Sequence, residues 1–292
     1  MIDLHLHSNK SDGLDSPSEL VKKANNLGLK AIAITDHDTI DGVEEFLSVG
    51  EKFKIITISG IEISIKHEPE REIKDVHIVG LSIDHKSSLL ANTLKKQMQG
   101  RLQQKKAICQ RLREEFDYEI TYEEVEAVAD SQSVGRPHIV EIMIQNNPEK
   151  VKDKTKNELF KMISLGGEAF VDRPFELTLE ESIDLIKKAK GIPILAHPGI
   201  YEVSDRKSFV ELCIDAGIEG IEIEYTYNKN RPFYGTDKAK WAQKYLSEYY
   251  RKLANEFNLI KSGGSDYHGG KKGIKIGEAK VPNRYLIEIL SY

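Results

Sequence analysis

The sequence predicts an α/β fold in which a parallel sheet or barrel of about seven strands is interrupted by a helical insertion. Short apolar segments alternate with amphipathic helical patterns over residues 1–87, and the alternation returns over 173–292. Residues 88–172 show helical periodicity without a strand pattern. Strands that are linked by helices usually pair in parallel. From the change of pattern we predict one domain formed by 1–87 and 173–292 and one helical insertion domain at 88–172.

The first strand lies in MIDLHLHS, where apolar side chains at even positions alternate with polar ones at odd positions. A helix follows, with Ser16 as its cap, Pro17 in its first position and Gly28 at its end. Three further strands are predicted in this region, at 30–35, 54–65 and 75–83. A short helix is predicted at 41–50.

Helical periodicity begins at about residue 88. Apolar residues recur every four positions from Leu90 to Leu102 and again from Ile108 to Phe116, and helical patterns continue to about 164. After the insertion, three helices each precede a strand. They are predicted at 179–190 before IPILAH, at 207–216 before GIEGIEIEY, and at about 236–257 before LIKSGGSDYH.

The placement of polar residues favours a barrel over an open sheet. In the first strand the even, apolar face suits a cover of helices, so Asp3, His5 and His7 would point toward the barrel axis. Ionisable residues also gather where predicted strands end, and the carboxyl ends of barrel strands share one rim. These residues are Asp36, His37, His197, Asp266 and His268. A doubly wound sheet would also place a site at its strand ends and stays an alternative.

Composition narrows the class of protein. The chain has 292 residues and a formal net charge of −5, which argues against a protein that coats nucleic acid. Cys109 and Cys213 each lie in an apolar helical stretch, so we predict buried free thiols and a reducing compartment. No stretch has the pattern of a signal peptide or a membrane span, and we expect a soluble, cytoplasmic protein without a membrane partner.

Histidines and carboxylates at strand ends form the clearest functional pattern. His5 and His7 are two residues apart on a strand, so both side chains leave on the same face and can bind one ion. Glu62 and His77 interrupt apolar strands, where an unpaired charge would be costly. A single histidine is usually structural, but nine residues share this placement. The nine candidate metal ligands are His5, His7, Asp12, His37, Glu62, His77, His197, Asp266 and His268.

The donor set indicates the metal and the reaction. Imidazole and carboxylate ligands without cysteine suit catalytic zinc, manganese or iron(II). Nine ligands exceed the needs of one ion, so we expect two or three divalent metal ions that share bridging carboxylates. Clustered ions suit the hydrolysis of phosphate esters, because one ion generates hydroxide while its neighbours hold the attacked and leaving oxygens.

Five segments, in order, resemble the motifs of the PHP (polymerase and histidinol phosphatase) family: DLHLHS with SDG, TDHDT, GIE with HIVG, AHPG, and GSDYHG. The resemblance implies a distorted (β/α)7 barrel with three metal ions. It assigns one ion to His5, His7, Glu62 and Asp266, a second to Glu62, His77 and His197, and a third to Asp12, His37 and His268. Glu62 would bridge the first two ions.

The same resemblance implies that a hydroxide on ions held by Glu62, Asp266 and His197 attacks phosphorus in line with the ester oxygen. His197 is one candidate for protonating the leaving alkoxide, although an imidazole that binds a metal is a poor acid. His138, outside the nine ligands, is another candidate.

The insertion carries SVGRPHIVEIMIQ, in which Arg136 and His138 flank a proline at a predicted helix start. A helix amino terminus and a guanidinium both suit a phosphate, although the pair could also mark an ordinary exposed helix start. Within the PHP family this element resembles the branch that acts on nucleoside 3′,5′-bisphosphates and short RNA. The resemblance implies that Arg136 and His138 grip a phosphate that is not cleaved.

Weaker signals surround these motifs. The stretch from Lys86 to Arg113 contains basic residues and no acidic ones, which fits either a solvated helix face or a path for RNA. Lys271 and Lys272 could meet a phosphate, and Tyr225, with the nearby Tyr227 and Phe233, could stack on a base or pack the rim. Many relatives place a histidine after the strand that corresponds to GIEIEY. This chain has none there, and the candidates to replace it are Asn228, Lys229 and Arg231.

We therefore predict a metal-dependent phosphoesterase acting on nucleoside 3′,5′-bisphosphates or short oligoribonucleotides, with no obligatory protein partner. Histidinol-phosphate phosphatase is the alternative among enzymes, and Arg136 with its insertion argues against it. A metal-stabilised binding or scaffold module is the alternative outside enzymes. That alternative predicts missing ligands, whereas all nine are present.

Overall fold

The computed structural model describes residues 1–129, 134–270 and 273–292. These residues form two compact units, one of Met1–Leu94 with Leu177–Tyr292 and one of Lys95–Glu176. All strands of the described residues belong to the first unit. No helix in the described ranges is long and apolar enough to cross a membrane.

The strands are short and are numbered along the chain. They are β1 (Ile2–Asp3), β2 (Ala31–Ala33), β3 (Ile56–Ile58), β4 (Gly60–Ser64), β5 (His77–Leu81), β6 (Ile192–Leu195), β7 (Gly220–Glu224) and β8 (Ile260–Gly263).

In the first unit the helices alternate with these strands, except that β3, β4 and β5 follow one another without an α-helix between them. The helices are α1 (Pro17–Asn26), α2 (Val43–Phe53), α3 (Ser88–Phe116), α4 (Tyr122–Val128), α5 (Arg136–Asn146), α6 (Pro148–Val151), α7 (Lys156–Met162), α8 (Leu179–Lys188), α9 (Arg206–Asp215), α10 (Ala239–Glu256) and α11 (Arg284–Leu290).

Local sequence explains where several helices begin. The predicted start of α1 is confirmed: Ser16 accepts a hydrogen bond from the backbone N–H of Glu19, whose side chain accepts one from the backbone of Ser16. The same reciprocal pair begins α8, between Thr178 and Glu181. Such caps satisfy amide donors that have no partner inside the helix.

The strands form two sheets. Strands β1, β2 and β3 pair in parallel, and a second sheet has the order β4-β5-β6-β7-β8. In that sheet β5 is antiparallel to both β4 and β6, whereas β6, β7 and β8 are parallel. The prediction of an α/β fold is confirmed, and β5 departs from the parallel sheet that the sequence predicts. No closed sheet is detected among the described residues.

The segment 54–65, predicted as one strand, is divided between the two sheets. Strand β3 ends at Ile58 and β4 begins at Gly60 in the other sheet. A Cβ at Gly60 would lie 2.6 Å from the carbonyl oxygen of Ile34, so only glycine allows this approach of the backbones. Apolar alternation continues through the break, which is why the pattern predicts a single strand.

Strand β1 ends at Asp3 and is shorter than predicted, but the residues that follow it keep the predicted alternation between an apolar and a polar side. Leu6 is fully buried and belongs to an apolar cluster that includes Leu20 of α1 and Phe46 of α2. The polar residues of the opposite face, among them His5 and His7, are buried as well. Burial of imidazoles on this face requires partners, and these lie in the site described below.

The second unit has its own core. Apolar side chains of its helices and loops pack into one cluster that includes Leu112, Val125, Ile139, Met143 and Leu159. Helix α3 begins in the first unit and contributes its residues from Lys95 onward to the second. Cys109 belongs to this cluster, and both Cys109 and Cys213 are buried and free, as predicted.

Candidate metal centre

The chain following β1 lies against the chain following β8. The backbone N–H of His7 donates to the carbonyl of Tyr267 at 3.0 Å, and that of Asp266 donates to the carbonyl of His5 at 3.0 Å. These bonds bring the Asp266 carboxylate beside the two imidazoles, although the residues are about 260 positions apart in the sequence.

Glu62 enters from β4 on the other side of the same cluster. Its backbone N–H donates to the carbonyl of Asp36 at 3.1 Å, and its carbonyl accepts from the N–H of Asp38 at 2.9 Å. His37 therefore lies level with Glu62. The Glu62 side chain is 1% exposed, and its carboxylate is reached by imidazoles from several strands.

Four ligand atoms from these segments form a compact group. The Nε2 atoms of His5 and His7 are 3.0 Å apart, and Glu62 Oε2 lies 3.3 Å and 3.2 Å from them. Asp266 Oδ1 lies 3.6 Å and 3.2 Å from the same two nitrogens. Ligands at about 2.0–2.2 Å from a tetrahedral ion are separated by about 3.3–3.6 Å, so this group has the dimensions of a metal site.

Both oxygens of Glu62 face imidazoles. The Nδ1 of His77 and the Nε2 of His197 each lie 2.9 Å from Oε1, while the Nδ1 of His37 lies 3.2 Å from Oε2. A carboxylate with ligand atoms on both oxygens is placed to bridge two ions.

A third group lies toward the open side of the cluster. His268 Nε2 is 3.2 Å from Asp12 Oδ1, and the rings of His268 and His7 stack with centroids 4.1 Å apart. Asp12, whose side chain is 45% exposed, is the most exposed of the ligands in this group. The ligand atoms of His7, Asp12, His37 and His268 all lie within 4.8 Å of one another.

Hydrogen bonds outside the cluster orient two of the imidazoles. Glu222 on β7 is 0% exposed, and one of its oxygens lies 2.9 Å from His5 Nδ1 while the other accepts the backbone N–H of His197 at 2.8 Å. Because a carboxylate accepts hydrogen bonds, Glu222 holds a proton on Nδ1 of His5, which leaves Nε2 as the atom directed into the cluster.

Tyr201 fixes His197 in the same way. Its hydroxyl donates to the carbonyl of Ala196 at 2.9 Å and accepts the backbone N–H of His77 at 3.0 Å. The hydroxyl proton is thus committed, so His197 Nδ1, 3.2 Å away, must be the donor in their contact. Nε2 of His197 is left as the ligand atom that faces Glu62.

Burial and the neighbouring carboxylates shift the pKa values of several histidines in the cluster. Burial alone would lower the pKa of His5 and His7, but the carboxylates of Glu222 and Glu62 raise the pKa of His5 well above its usual value. The nearby carboxylates of Asp266 and Glu62 raise the pKa of His7 to about 10. Burial lowers the pKa of His37 to about 3. The carboxylates thus favour positive charge beside them, which a divalent cation would supply.

The chemistry of the donors fits divalent metal ions. Nδ1 of His7, Nδ1 of His37 and Oε2 of Glu62 are buried atoms without a hydrogen-bond partner among the described residues. Buried polar atoms that lack a partner are costly unless they coordinate something. The nine predicted ligands are all brought together, in groups whose atoms are close enough to share ions.

A cavity of about 720 Å³ opens over the cluster. It is lined by seven of the nine candidate ligands, namely Asp12, His37, Glu62, His77, His197, Asp266 and His268. Lys229, Asn230, Arg231 and Tyr234, from the loop after β7, line it as well. These seven candidate metal ligands are therefore accessible to a small ligand from the cavity.

The residues predicted to contact substrate differ in their burial and in their hydrogen-bond partners. Tyr225 is 1% exposed, and its hydroxyl donates to Asp266 Oδ2 at 2.8 Å, so it holds a candidate ligand in place. Asn228 lies next to the cavity-lining residues, and its backbone N–H donates to the side chain of Gln243. Lys271 and Lys272 lie outside the described residues.

Arg136 and His138 belong to the second unit. The predicted helix start is confirmed, since α5 begins at Arg136 with proline in its first turn. Nδ1 of His138 accepts the backbone N–H of Gly135 at 3.0 Å, and a guanidinium nitrogen of Arg136 donates to the hydroxyl of Ser164 at 3.2 Å. Their contact with substrate stays a prediction.

Glu222 and Tyr201 are not among the site residues predicted from the sequence. Glu222 interrupts an apolar strand as Glu62 does, so the same argument about a buried carboxylate applied to GIEIEY would have found it. No comparable signal marks Tyr201, because an aromatic residue near a strand end is ordinary in a core.

Comparisons with known proteins show the family of the chain. A family model described as the PHP domain matches residues 3–170, more than half of the chain. A 5′-3′ exoribonuclease of Haemophilus influenzae is 31% identical over 94% of this chain and 93% of its own length. A 3′,5′-nucleoside bisphosphate phosphatase of Chromobacterium violaceum is 28% identical over 96% of this chain and 91% of its own length.

A solved structure extends the likeness to the fold. It is a candidate metal-dependent phosphoesterase of Bifidobacterium adolescentis, which matches 99% of this chain and 95% of its own, with a TM-score of 0.76 and 26% identity. The sequence motifs, the family match and the clustered ligands lead to one conclusion: the chain belongs to the PHP domain family.

Proposed function

We propose that the protein is a metal-dependent phosphoesterase that hydrolyses a phosphate ester of nucleoside 3′,5′-bisphosphates or short oligoribonucleotides. The observation that carries the proposal is the group of His5 and His7, whose Nε2 atoms lie 3.0–3.6 Å from each other and from the carboxylates of Glu62 and Asp266, beside an open cavity. The names of the exoribonuclease and phosphatase relatives support the nucleotide substrate.

We further propose how the ligands are shared among three sites. His5, His7, Glu62 and Asp266 would hold one divalent ion, Glu62 with His77 and His197 a second, and Asp12 with His37 and His268 a third. Manganese, iron or zinc in these sites would supply Lewis acidity toward a phosphoryl oxygen and lower the pKa of a water molecule.

The protein's own residues would position these groups. Glu222 and Tyr201 set the tautomers of His5 and His197, so that a nitrogen lone pair of each faces Glu62. The Tyr225 hydroxyl holds Oδ2 of Asp266, which leaves Oδ1 directed at the two amino-terminal histidines. Such positioning lets the cluster bind phosphate without rearrangement when substrate enters.

A distorted (β/α)7 barrel is the finer fold that we propose. Strand β1 reaches the β8 side through the N–H of Leu4, which donates to the carbonyl of Gly263 at 3.1 Å. On the other side, a parallel bridge joins His37 to Glu62. These contacts link the two sheets at both ends, which supports a barrel-like arrangement.

A substrate panel tests the function. The protein loaded in turn with manganese, iron(II) and zinc should release product from adenosine 3′,5′-bisphosphate or from short 5′-phosphorylated RNA, measured by phosphate release and by chromatography of the nucleotides. Turnover of histidinol phosphate alone would support the alternative enzyme. Tight metal binding without turnover of any of these esters would support the scaffold alternative and contradict the proposal.

The Asp266→Asn variant ties activity to the cluster. Asparagine keeps the shape of the side chain but replaces one carboxylate oxygen by an amide, so we expect turnover to fall at least about 100-fold with the circular dichroism spectrum retained. The matched control is Asp215→Asn, at the end of α9, which should keep full activity. Full activity of Asp266→Asn would contradict the metal assignment.

A further inference from the structure

The loop after β7 forms one wall of the cavity and is tied to the candidate metal ligands. The side chain of Asn230 is buried and donates to the carbonyl and to the hydroxyl oxygen of Thr226, both at 3.1 Å. The Thr226 hydroxyl in turn donates to the carbonyl of Ser265 at 3.1 Å, next to Asp266. These bonds fix the loop relative to the cluster before any ligand binds.

The two cations of this wall differ in their partners. Lys229 Nζ donates to the carbonyl of Gly273 at 2.6 Å and pairs with Glu278 at 2.5 Å, so its charge is already balanced. Arg231 lines the same cavity, is exposed, and makes neither a hydrogen bond nor an ion pair with any residue in the described ranges. Its planar fork of N–H donors is therefore available to an anion that enters the cavity.

An aromatic ring accompanies the guanidinium. Tyr234 is 66% exposed and also lines the cavity, three residues beyond Arg231. A tyrosine ring of this exposure is not held there by packing, and exposed aromatic rings offer a stacking surface for any base.

Charge decides where a second phosphate can lie. The opposite wall is formed by Asp12, Glu62, Asp266 and imidazoles, and once its charge is matched by metal ions and one phosphate it has no surplus for another. On the loop wall, Arg231 supplies a positive charge that a monoester with a single phosphate would leave unpaired.

We propose that Arg231 and Tyr234 form a nucleotide subsite, in which Arg231 binds a substrate phosphate other than the one cleaved and Tyr234 stacks on a base. This inference rests on the proposed function and names the part of the chain that selects nucleotides over simple monoesters. The role predicted for Arg136 is a separate prediction, since the uncleaved phosphate of a bisphosphate has three terminal oxygens and an RNA strand offers further phosphates.

The test compares a nucleotide with a compact ester. For Arg231→Ala, the ratio of kcat/KM for adenosine 3′,5′-bisphosphate to kcat/KM for p-nitrophenyl phosphate should fall about 10-fold to 100-fold, the usual effect of losing a charge-assisted hydrogen bond. Tyr234→Ala should lower the same ratio at least about 5-fold, whereas Tyr234→Phe should keep it. Arg284→Ala, an exposed arginine on α11, is the matched control and should leave the ratio unchanged.

Equilibrium dialysis of labelled adenosine 3′,5′-bisphosphate provides a readout that needs no turnover. Arg231→Ala should weaken binding about 10-fold or more. The affinity of Arg231→Lys should lie between that of Arg231→Ala and that of the unmodified protein. Equal decreases in kcat/KM for the bisphosphate and for p-nitrophenyl phosphate would overturn the subsite. Unchanged binding of the bisphosphate by Arg231→Ala and Tyr234→Ala would overturn it as well. An unmodified protein that binds the nucleotide through Arg231 but cleaves no ester would instead contradict the proposed function alone.

Discussion

At the scale of single residues, two buried glutamates show what a sequence can reveal about a metal centre. Glu62 and Glu222 each interrupt an apolar strand, and both are almost wholly buried. The cost of a buried charge predicts that each has a partner, but not whether it contacts an ion or orients a ligand. That distinction depends on atoms brought from distant strands, such as His5 Nδ1 at 2.9 Å from Glu222.

The Glu222→Gln variant tests the orienting role. One glutamine terminus is an amide NH₂, which cannot accept a hydrogen bond, so either His5 Nδ1–H or the His197 backbone N–H loses its acceptor. We expect affinity for manganese to fall about 10-fold to 100-fold, because partners behind metal ligands typically contribute that much. Metal content after dialysis at a set manganese concentration measures this effect without reference to activity.

Glu256→Gln is the matched control for that substitution. Glu256 lies at the end of α10 and pairs with Lys207 on the surface, so its replacement should leave manganese affinity unchanged. Equal affinities for Glu222→Gln and the unmodified protein would show that Glu222 does not support the centre.

At the scale of elements, the local sequence pattern predicts whether a segment is a helix or a strand better than it predicts how a strand pairs with its neighbours. The residue ranges of α8, α9 and α10 lie within a few positions of those predicted from apolar periodicity. Strand β5 is antiparallel to both neighbours, which period-two alternation cannot indicate, since it is the same for either direction. The break at Gly60 is also invisible to periodicity, because it depends on the approach of the backbone at Ile34.

Close approach of backbones also explains why the centre forms between β1 and β8. A Cβ at Gly264 would lie 2.2 Å from the Cβ of His5 and 2.4 Å from its backbone nitrogen. Gly264→Ala should therefore push the two segments apart, lowering the free energy of unfolding by about 1–3 kcal/mol and weakening manganese binding. Chemical denaturation and metal dialysis on the same sample measure the two effects.

Gly28→Ala separates backbone strain from crowding. Gly28 has φ +70 and open space around it, so alanine there should cost about 1 kcal/mol through backbone strain alone. Manganese affinity should be unaffected at this position. If both variants bound manganese equally well, the close packing at Gly264 would have no part in shaping the centre.

At the scale of the whole molecule, the candidate metal ligands come from segments spread over the chain, from His5 to His268, and all lie in the first unit. The sequence could predict these nine candidates because eight of them follow a predicted strand or interrupt an apolar one, and Asp12 lies in the loop after the first of these strands. It could not predict which atoms meet, because the sharing of Glu62 among His37, His77 and His197 arises only when the strands are assembled. Metal binding should consequently stabilise one unit rather than one loop.

Hydrogen exchange with and without manganese tests this coupling. At a free concentration 100-fold above Kd, one ion should stabilise the native first unit by about 2.7 kcal/mol, which slows exchange through its unfolding about 100-fold. Peptides covering β4, β6 and β8 should share that protection, because each strand carries or immediately precedes a ligand. Peptides from 95–129 provide an internal reference, since none of the nine ligands lies in the second unit, and their exchange should be unchanged. Protection confined to residues 3–12, or equal protection in both units, would contradict a centre that joins the strands of the first unit.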